Sequence, residues 1–279
     1  MLGWVRLIFV LIVAAVSLLI LTPVHLAVLA ITRRSTSKVT VWWHRLVLRL
    51  MGVRVILSGE LSADRPLLLL SNHMSWLDIE ILVSIAPLSF IAKSEVAGWP
   101  VFGWLARLQH TIFVERERRT RTADKASEVA ERLGNGDIVV LFAEGTSSDG
   151  NHVLPFRSAL IGAAQKAVGA NGAATIQPVA IAYVSAHGIP LGRRHRSFVA
   201  WYGDTDLLPH LKTVLMRGGI DVHVTFGPPQ VIGPDHNRKA IAAESGAMVR
   251  RLVAGLNTGR DPEALLEAEM PVGPDKNLR

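Results

Sequence analysis

The feature that most limits the fold of this chain is an uncharged apolar run near its amino terminus. Between Leu7 and Thr32 there is no Lys, Arg, Asp or Glu. As a helix, such a run is long enough to cross a hydrocarbon layer of about 30 Å. Pro23 and His25 interrupt it, so a kinked helix and a half-buried hairpin both fit the pattern. A cleaved signal peptide is disfavoured, because no small-residue cleavage site follows the run.

Positive charge flanks this run unequally. Arg33, Arg34 and Lys38 follow it, whereas Arg6 alone precedes it. Since Lys and Arg are enriched on the cytoplasmic side of a membrane, the asymmetry predicts that the domain beyond the run is cytoplasmic.

A second helix is predicted over residues 39–51, where apolar residues recur at helical spacing. Trp42 and Trp43 lie beside Arg45, a combination that suits a helix in the headgroup region of an anionic bilayer. An ordinary helix packed on a protein core fits the spacing equally well.

The composition of the chain limits which kinds of molecule it is expected to bind. Among 279 residues, 49% are hydrophobic, the net charge is +7 and there is no cysteine. The positive charge implies an anionic partner, and we predict a membrane rather than nucleic acid because no nucleic-acid motif occurs. Without cysteines, and with histidines scattered along the chain, we predict no metal site and no cofactor.

The remainder of the chain alternates between strand and helix patterns. Strands are predicted at Val53–Leu57, Pro66–Leu70, Ser89–Ala92, Thr111–Val114, Asp137–Phe142, Ile176–Tyr183, Ser197–Trp201 and Val222–Phe226. Helices are predicted at Leu77–Ile85, Val101–Leu108, Thr120–Leu133, Ser158–Val168 and Leu207–Met216. The alternation predicts an α/β fold, a mostly parallel sheet flanked by helices, preceded by an N-terminal hydrophobic membrane-associated segment. We expect membrane-associated helices over 1–52, a catalytic domain over 53–257 and a loosely ordered tail over 258–279.

One histidine and one aspartate stand out at the end of a predicted strand. His73 and Asp78 follow the apolar run Leu67–Leu70, separated by four residues. An imidazole can accept a proton from a hydroxyl near neutral pH, and a carboxylate on its other nitrogen would orient it. Taken alone, the spacing is also compatible with chance, because the chain has ten histidines.

A second cluster, Leu141–Gly150, also follows a predicted strand, and together the two resemble the signatures of the glycerolipid acyltransferase family. The first signature, Asn-His-x4-Asp, is complete in Asn72, His73 and Asp78. The third is present in Phe142, Glu144, Gly145, Thr146 and Ser148, with Ala143 replacing a proline and Ser147 replacing an arginine. The second resembles Phe113–Arg116, and the fourth resembles Gln177–Ile181.

The resemblance implies transfer of a fatty acyl group from an acyl thioester to a hydroxyl of a lysolipid at a bacterial inner membrane. His73 would be the general base and Asp78 its partner. Substrate binding would involve Arg116, Glu144 and the Gly145–Ser147 turn, whose N–H groups are candidates for stabilising an oxyanion. For Asn72 a bracing role in the turn is favoured over chemistry, although it belongs to the same predicted binding region.

The replacement of arginine by Ser147 leaves the acceptor headgroup open. Arg157 or Arg116 would supply a cation for a phosphate, or else the acceptor carries no phosphate monoester. The strings Glu144–Gly150 and Trp201–Asp204 are similar to the bacterial branch that acylates lyso-ornithine lipids. Acyl carrier protein and coenzyme A both present a thioester, and both fit as the donor.

Two other classes of function fit parts of the pattern. A serine-type lipid hydrolase would use Ser71, Ser75 or Ser148 as nucleophile, but no Gly-x-Ser-x-Gly elbow occurs. A non-catalytic lipid-binding protein would use His73 and Asp78 only structurally.

Overall fold

The computed structural model describes residues 1–32, 36–114, 119–159, 161–162, 165, 173–233 and 235–269. The helices described in full are α1 (Leu2–Thr32), α2 (Lys38–Leu50), α3 (Leu77–Val83), α4 (Phe102–Leu108), α5 (Arg119–Gly134), α6 (Leu207–Arg217), α7 (Arg238–Leu256) and α8 (Pro262–Glu267), with 3₁₀ helices at Ser94–Gly98 and Arg196–Phe198. The strands are β1 (Val53–Ser58), β2 (Leu67–Ser71), β3 (Ser89–Lys93), β4 (Ile112–Val114), β5 (Ile138–Phe142), β6 (Ala174–Ala186), β7 (Ile189–Pro190), β8 (Ile220–Phe226) and β9 (Gln230–Ile232).

The strands form one sheet in the order β1-β8-β6-β2-β5-β3-β4, with β7 and β9 also pairing with β6. Every neighbouring pair on the main path is parallel except β6 with β8. The predicted α/β fold with a mostly parallel sheet flanked by helices is therefore confirmed.

The central strand β2 shows why the sheet is covered on both faces. Leu67 and Leu69 pack with residues of α2 and α3, whereas Leu68 and Leu70 pack with residues of α5 and α7. All four leucines are fully buried. A strand with consecutive leucines exposes apolar side chains on both faces of the sheet and needs helices on both of its sides.

Helix α1 is continuous through Pro23 and lies along the domain. Near its start, the Arg6 guanidinium donates to the carbonyl oxygens of Met51 and Arg217. Near its end, His25 contacts the Ser37 hydroxyl and the Leu108 carbonyl oxygen. Most of its other residues are accessible, and its length and the mean hydropathy of 2.9 over its most apolar 18 residues suffice for a membrane crossing. This apolar exposed surface indicates association with a membrane.

Three expectations differ from the structure. The predicted strand Ser197–Trp201 instead contains the 3₁₀ helix Arg196–Phe198, and helix α7 was not predicted. The expected loose tail begins with α8, which Leu266 anchors by burial. Most of the predicted helix Ser158–Val168 lies outside the described residues.

Candidate active site

The ends of β2 and β5 bring two sequence motifs together. These strands are parallel neighbours, and Ser71 is paired with Phe142 at their carboxyl ends. The chain after β2 turns through His73 into α3, and the chain after β5 turns at Gly145, where φ is 78°. Because the carboxyl ends of parallel neighbours share one edge of a sheet, the two turns meet there.

Asp78 reaches back from α3 to the His73 ring. Its Oδ2 atom lies 2.8 Å from His73 Nδ1 and also accepts hydrogen bonds from the backbone N–H groups of Met74 and Ser75, at 2.8 and 2.9 Å. Asp78 is fully buried. With Nδ1 directed at a carboxylate, Nδ1 carries the proton and Nε2 keeps a lone pair.

Tyr183 of β6 completes the environment of Asp78. Its hydroxyl donates to the other carboxylate oxygen, Oδ1, over 2.7 Å. Burial, followed by the negative charge of Asp78, raises the pKa of Tyr183 well above its usual value. The hydroxyl therefore remains a neutral donor at physiological pH. Tyr183 was not predicted from the sequence, because it lies 105 residues from Asp78 and the contact depends on strand order.

The second motif holds the backbone of His73. Glu144 Oε1 accepts from the His73 N–H, and Glu144 Oε2 accepts from the Leu154 N–H, both over 2.8 Å. The N–H and hydroxyl of Ser148 donate to the His73 carbonyl oxygen, at 2.8 and 3.3 Å. Burial raises the pKa of Glu144 to about 7, against the opposing effect of its two backbone donors.

Two residues that the resemblance linked to substrate binding are instead engaged by the backbone. Glu144 uses both carboxylate oxygens as described, and it does not line the cavity beside His73. The Asn72 side chain donates to the Ile181 carbonyl oxygen and accepts from the Ile181 N–H, at 2.9 and 2.8 Å. Both residues therefore brace the turn, and a contact of either side chain with substrate stays a prediction.

The His73 ring stacks on Phe142, with ring centroids 3.9 Å apart and planes inclined by 15°. Phe142 in turn stacks on Phe90. With Nδ1 held by Asp78 and one ring face covered, the orientation of Nε2 is fixed.

His73 lines a cavity of about 570 Å³, a volume within the range of ligand pockets. The lining is mostly apolar and comes from α1, α2, α3, α4 and the segment around Trp201. Trp99 and Trp201, both in the lining, meet edge to face with centroids 5.8 Å apart. Such a cavity suits a ligand with a long hydrocarbon portion.

The turn after β5 includes two N–H groups that have no acceptor among the described residues and belong to residues lining the cavity. Gly145 N–H donates to the Phe142 carbonyl oxygen, and Ser148 N–H donates to that of His73. In the described part of the chain, the N–H groups of Thr146 and Ser147 donate to no acceptor. Both residues line the cavity, so these two N–H groups are the candidate donors to a ligand there.

The cations near the site differ from the expectation. Arg157 is exposed and does not line the cavity, and Arg116 lies outside the described residues. Lys93, at the end of β3, is the only lysine or arginine among the described lining residues. Sequence reasoning missed Lys93, although its position directly after a predicted strand was an available signal.

The site combines an oriented histidine and carboxylate with free N–H donors. It lies at the carboxyl edge of a parallel sheet and opens on an apolar cavity, and these features together define the class of protein. It is an α/β enzyme that acts on a substrate with a hydrocarbon chain.

Comparison with known proteins gives the particular family. Residues 52–182 match the acyltransferase family model. The chain is 48% identical, over 95% of its length and 100% of the relative's, to a lyso-ornithine lipid O-acyltransferase of Brucella abortus. It is 42% identical, over 95% and 91% of the two lengths, to the enzyme of that name in Rhizobium meliloti. A 1-acyl-sn-glycerol-3-phosphate acyltransferase of Neisseria meningitidis is 30% identical over 73% of this chain and 78% of its own.

This protein belongs to the glycerolipid acyltransferase family and is an acyltransferase, so the predicted resemblance is confirmed. A solved structure has the same fold: the 1-acyl-sn-glycerophosphate acyltransferase of Thermotoga maritima matches with a TM-score of 0.54 and 23% identity, over 78% of each chain.

Proposed function

We propose that this enzyme transfers a fatty acyl group from an acyl thioester to a hydroxyl of a lysolipid, in membrane lipid biosynthesis. The observation that carries the proposal is the His73–Asp78 pair. Asp78 binds Nδ1 of His73, Nε2 is left free by the described residues, and His73 lines an apolar cavity. The donor is an acyl group on acyl carrier protein or on coenzyme A, since both present the same thioester.

In the proposed mechanism, His73 Nε2 takes the proton of the acceptor hydroxyl as its oxygen attacks the thioester carbonyl carbon. Asp78 stabilises the imidazolium that forms, and Tyr183 and two backbone N–H groups hold Asp78 in place. The N–H groups of Thr146 and Ser147 are the candidates to stabilise the oxyanion of the tetrahedral intermediate. Collapse breaks the C–S bond, and the departing thiolate takes the proton from His73, leaving an ester and a free thiol.

The acceptor we propose is a lyso-ornithine lipid. The relatives at 48% and 42% identity carry that name, whereas the phosphate-acceptor relative is 30% identical. Ser147 also removes the guanidinium that would pair bidentately with a phosphate. Among the described lining residues, Lys93 remains as the one lysine or arginine, and its point charge suits a carboxylate.

The test is to supply purified full-length enzyme with lyso-ornithine lipid and with lysophosphatidate, using one acyl donor. We expect turnover with lyso-ornithine lipid at the higher kcat/KM. A preference for lysophosphatidate would overturn the choice of acceptor, and failure with both lipids would overturn lysolipid acylation itself.

We further propose that α1 and α2 form a membrane-associated unit at the cytoplasmic face of a bacterial inner membrane, ahead of a catalytic domain over 53–257. Contacts of Arg6 and His25 with the domain, one near each end of α1, support a helix that lies along the bilayer surface with its apolar face in lipid.

A serine-type hydrolase gains no support. The hydroxyls of Ser71 and Ser148 donate to the backbone carbonyl oxygens of Asn72 and His73 rather than to the His73 ring. Neither serine is therefore activated as a nucleophile by that imidazole.

A further inference from the structure

A polar cluster lies in the wall of the cavity and has no role in the proposed acyl transfer. It consists of His44 from α2, Glu80 from α3 and Gln109, the residue that follows α4. All three line the cavity. Glu80 lies four residues beyond Trp76. Along α3, Glu80 is therefore roughly one helical turn further from His73 than Trp76 is.

The geometry of the cluster defines the protonation of His44. Gln109 Nε2 lies 2.7 Å from His44 Nε2. Since an amide nitrogen only donates, His44 Nε2 is the acceptor and Nδ1 carries the proton. His44 Nδ1 is 3.2 Å from Glu80 Oε2. That contact lacks hydrogen-bond alignment, so both atoms are buried without a hydrogen-bond partner in the described part of the chain.

The cluster is buried but not sealed from the cavity. The His44 side chain retains 7% of its surface and the Glu80 side chain 20%. Burial lowers the pKa of His44 to about 3 and raises the pKa of Glu80 to about 7. Near neutral pH the histidine is therefore uncharged and the carboxyl is partly protonated, so the cluster is able both to donate and to accept a hydrogen bond.

A purely structural role does not account for the cluster. Arg45 Nε already donates to the Ser84 carbonyl oxygen over 2.7 Å and so joins α2 to α3. An unsubstituted hydrocarbon chain against His44 and Glu80 would exclude water and leave these buried polar groups without a hydrogen-bond partner, which is unfavourable. A chain that carries its own polar group at this point would remove that penalty.

We propose that His44, Glu80 and Gln109 form a hydrogen-bonding subsite for a hydroxyl group carried on a fatty chain in the cavity, and that this subsite makes the enzyme selective for hydroxylated chains. The inference rests on the proposed function, since it requires a lipid chain in the cavity. The hydroxyl in question is separate from the one that reacts at His73. It belongs either to the acyl donor or to the hydrocarbon portion of the acceptor, and both present the same chemistry.

The experiment measures kcat/KM with full-length enzyme in detergent micelles. In one arm, acyl thioesters carry a hydroxyl near the carboxyl end, at mid-chain or at the chain terminus, and each is compared with the unsubstituted chain of equal length. In the other arm, the donor is constant and the chain of the acceptor is varied in the same way. We expect one hydroxyl position, in one arm, to be preferred by about tenfold. Equal kcat/KM for all chains in both arms overturns the proposal without any variant being needed.

Variants then test whether the preference for a hydroxylated chain comes from the cluster. Glu80→Leu and Gln109→Leu should bring the ratio of hydroxylated to unsubstituted chain close to one, and Glu80→Gln should retain part of it. Thr40→Val is the matched control, because Thr40 lines the same cavity from α2 outside the cluster, and its ratio should equal that of the wild type. A preference that survives in both leucine variants places the subsite elsewhere. Absence of turnover with every chain would instead count against the proposed function.

Discussion

The His73 residue is held by four separate contacts. Asp78 fixes Nδ1, Phe142 covers one ring face, and Glu144 and Ser148 bind the backbone N–H and carbonyl groups. Each contact removes a degree of freedom that would otherwise have to be lost when the substrate arrives. The polar residues around this turn therefore serve mainly to position one nitrogen atom.

Replacement of His73 by alanine tests whether that nitrogen is the general base. We expect kcat to fall by about three orders of magnitude, the upper part of the range for a general base. His195→Ala is the control, because His195 is exposed. The measurement is steady-state acyl transfer, with folding checked by circular dichroism. Retention of wild-type turnover by a folded His73→Ala enzyme would favour a non-catalytic lipid-binding protein.

Tyr183→Phe removes the hydroxyl that donates to Asp78 Oδ1 and leaves a buried carboxylate oxygen unpaired. A hydrogen bond to a charged group contributes about 1.5–3 kcal/mol, so we expect kcat to fall on the order of tenfold with little change in KM. Tyr202→Phe is the matched control, since Tyr202 is 39% exposed. Equal kinetics for the two variants would show that Tyr183 does not act through Asp78.

Glu80 makes the stability of the enzyme depend on pH. Its pKa in the folded protein is about 7, above the ordinary value of 4.5, so the folded state binds more protons than the unfolded chain between these values. The contribution of Glu80 to the free energy of unfolding therefore falls as the pH rises from about 4.5 to about 7, and this contribution is complete only below 4.5. Glu80→Gln, which is neutral throughout, should lack this contribution, so the difference in the free energy of unfolding between wild type and variant should change by at most about 3 kcal/mol over this range.

The pH prediction is checked by urea unfolding in detergent across this range. Glu95→Gln is the control, because Glu95 is an exposed glutamate that lines the same cavity. Stability curves for Glu80→Gln that run parallel to those of the wild type would contradict it.

The role of an individual residue was predictable only where the residue that it contacts is close in the sequence. His73 and Asp78 were recognisable because one short turn brings them together. Tyr183, Lys93 and the His44–Glu80–Gln109 cluster come from different elements and meet only after the sheet and helices have packed. Arg157 is exposed and outside the cavity lining, so its predicted contact with substrate stays a prediction.

Helix α1 combines an exposed apolar surface with polar anchors near its two ends. Arg6 caps carbonyl oxygens of the α2 and α6 ends, and His25 bonds Ser37 and Leu108. Ile12 and Leu19, between these anchors, are 57% and 75% exposed. The helix is thereby attached to the domain while it offers a hydrocarbon surface to a bilayer.

Lysine at both Ile12 and Leu19 should weaken membrane association while the fold is kept. Each charge introduced into the apolar region is unfavourable by about 2.5–3.5 kcal/mol at a helix centre in lipid and by less near the interface. Vesicle co-sedimentation measures the bound fraction. Val231→Lys, at a 59% exposed position on β9, is the control and should bind like the wild type. Equal binding of all three proteins would exclude α1 from the lipid contact.

Elements with a strong apolar period were predicted, and those with small buried residues were not. Helix α7 buries Ala242, Ser245 and Gly246 among its core positions, which weakens the apolar period. A methyl group on Gly246 would lie 3.1 Å from the Phe156 ring, so the small residues allow close packing. The segment Ser197–Trp201 reads as a strand because it is apolar, but Val199 and Ala200 are buried without any strand pairing.

The molecule as a whole places its cavity between helices α1 and α2 and the sheet edge. The lining includes Leu18 and Leu21 of α1, Trp43 of α2 and the catalytic candidate His73. A lipid chain that leaves the bilayer beside α1 would therefore reach the reacting nitrogen without crossing water.

The net charge of +7 predicts that membrane binding depends on lipid charge and on salt. Binding to vesicles with anionic lipid should weaken between 0.1 M and 1 M salt, because the screening length falls from about 10 Å to about 3 Å. At low salt, binding to uncharged vesicles should be weaker than binding to anionic vesicles. It should also change little as the salt concentration rises. Identical salt curves for the two vesicle types would show that the basic residues make no contact with lipid headgroups.

Local pattern alone was enough to predict the apolar first helix, the alternation that builds an α/β fold and the histidine–aspartate pair, because each depends on residues within a few positions of one another. Packing alone decided the antiparallel pairing of β6 with β8, the capture of Asp78 by Tyr183, the engagement of Glu144 and Asn72 by the backbone, and the polar cluster in the cavity wall. Those contacts join segments far apart in the chain, and their free energy exists only once the intervening elements have buried their apolar faces against each other.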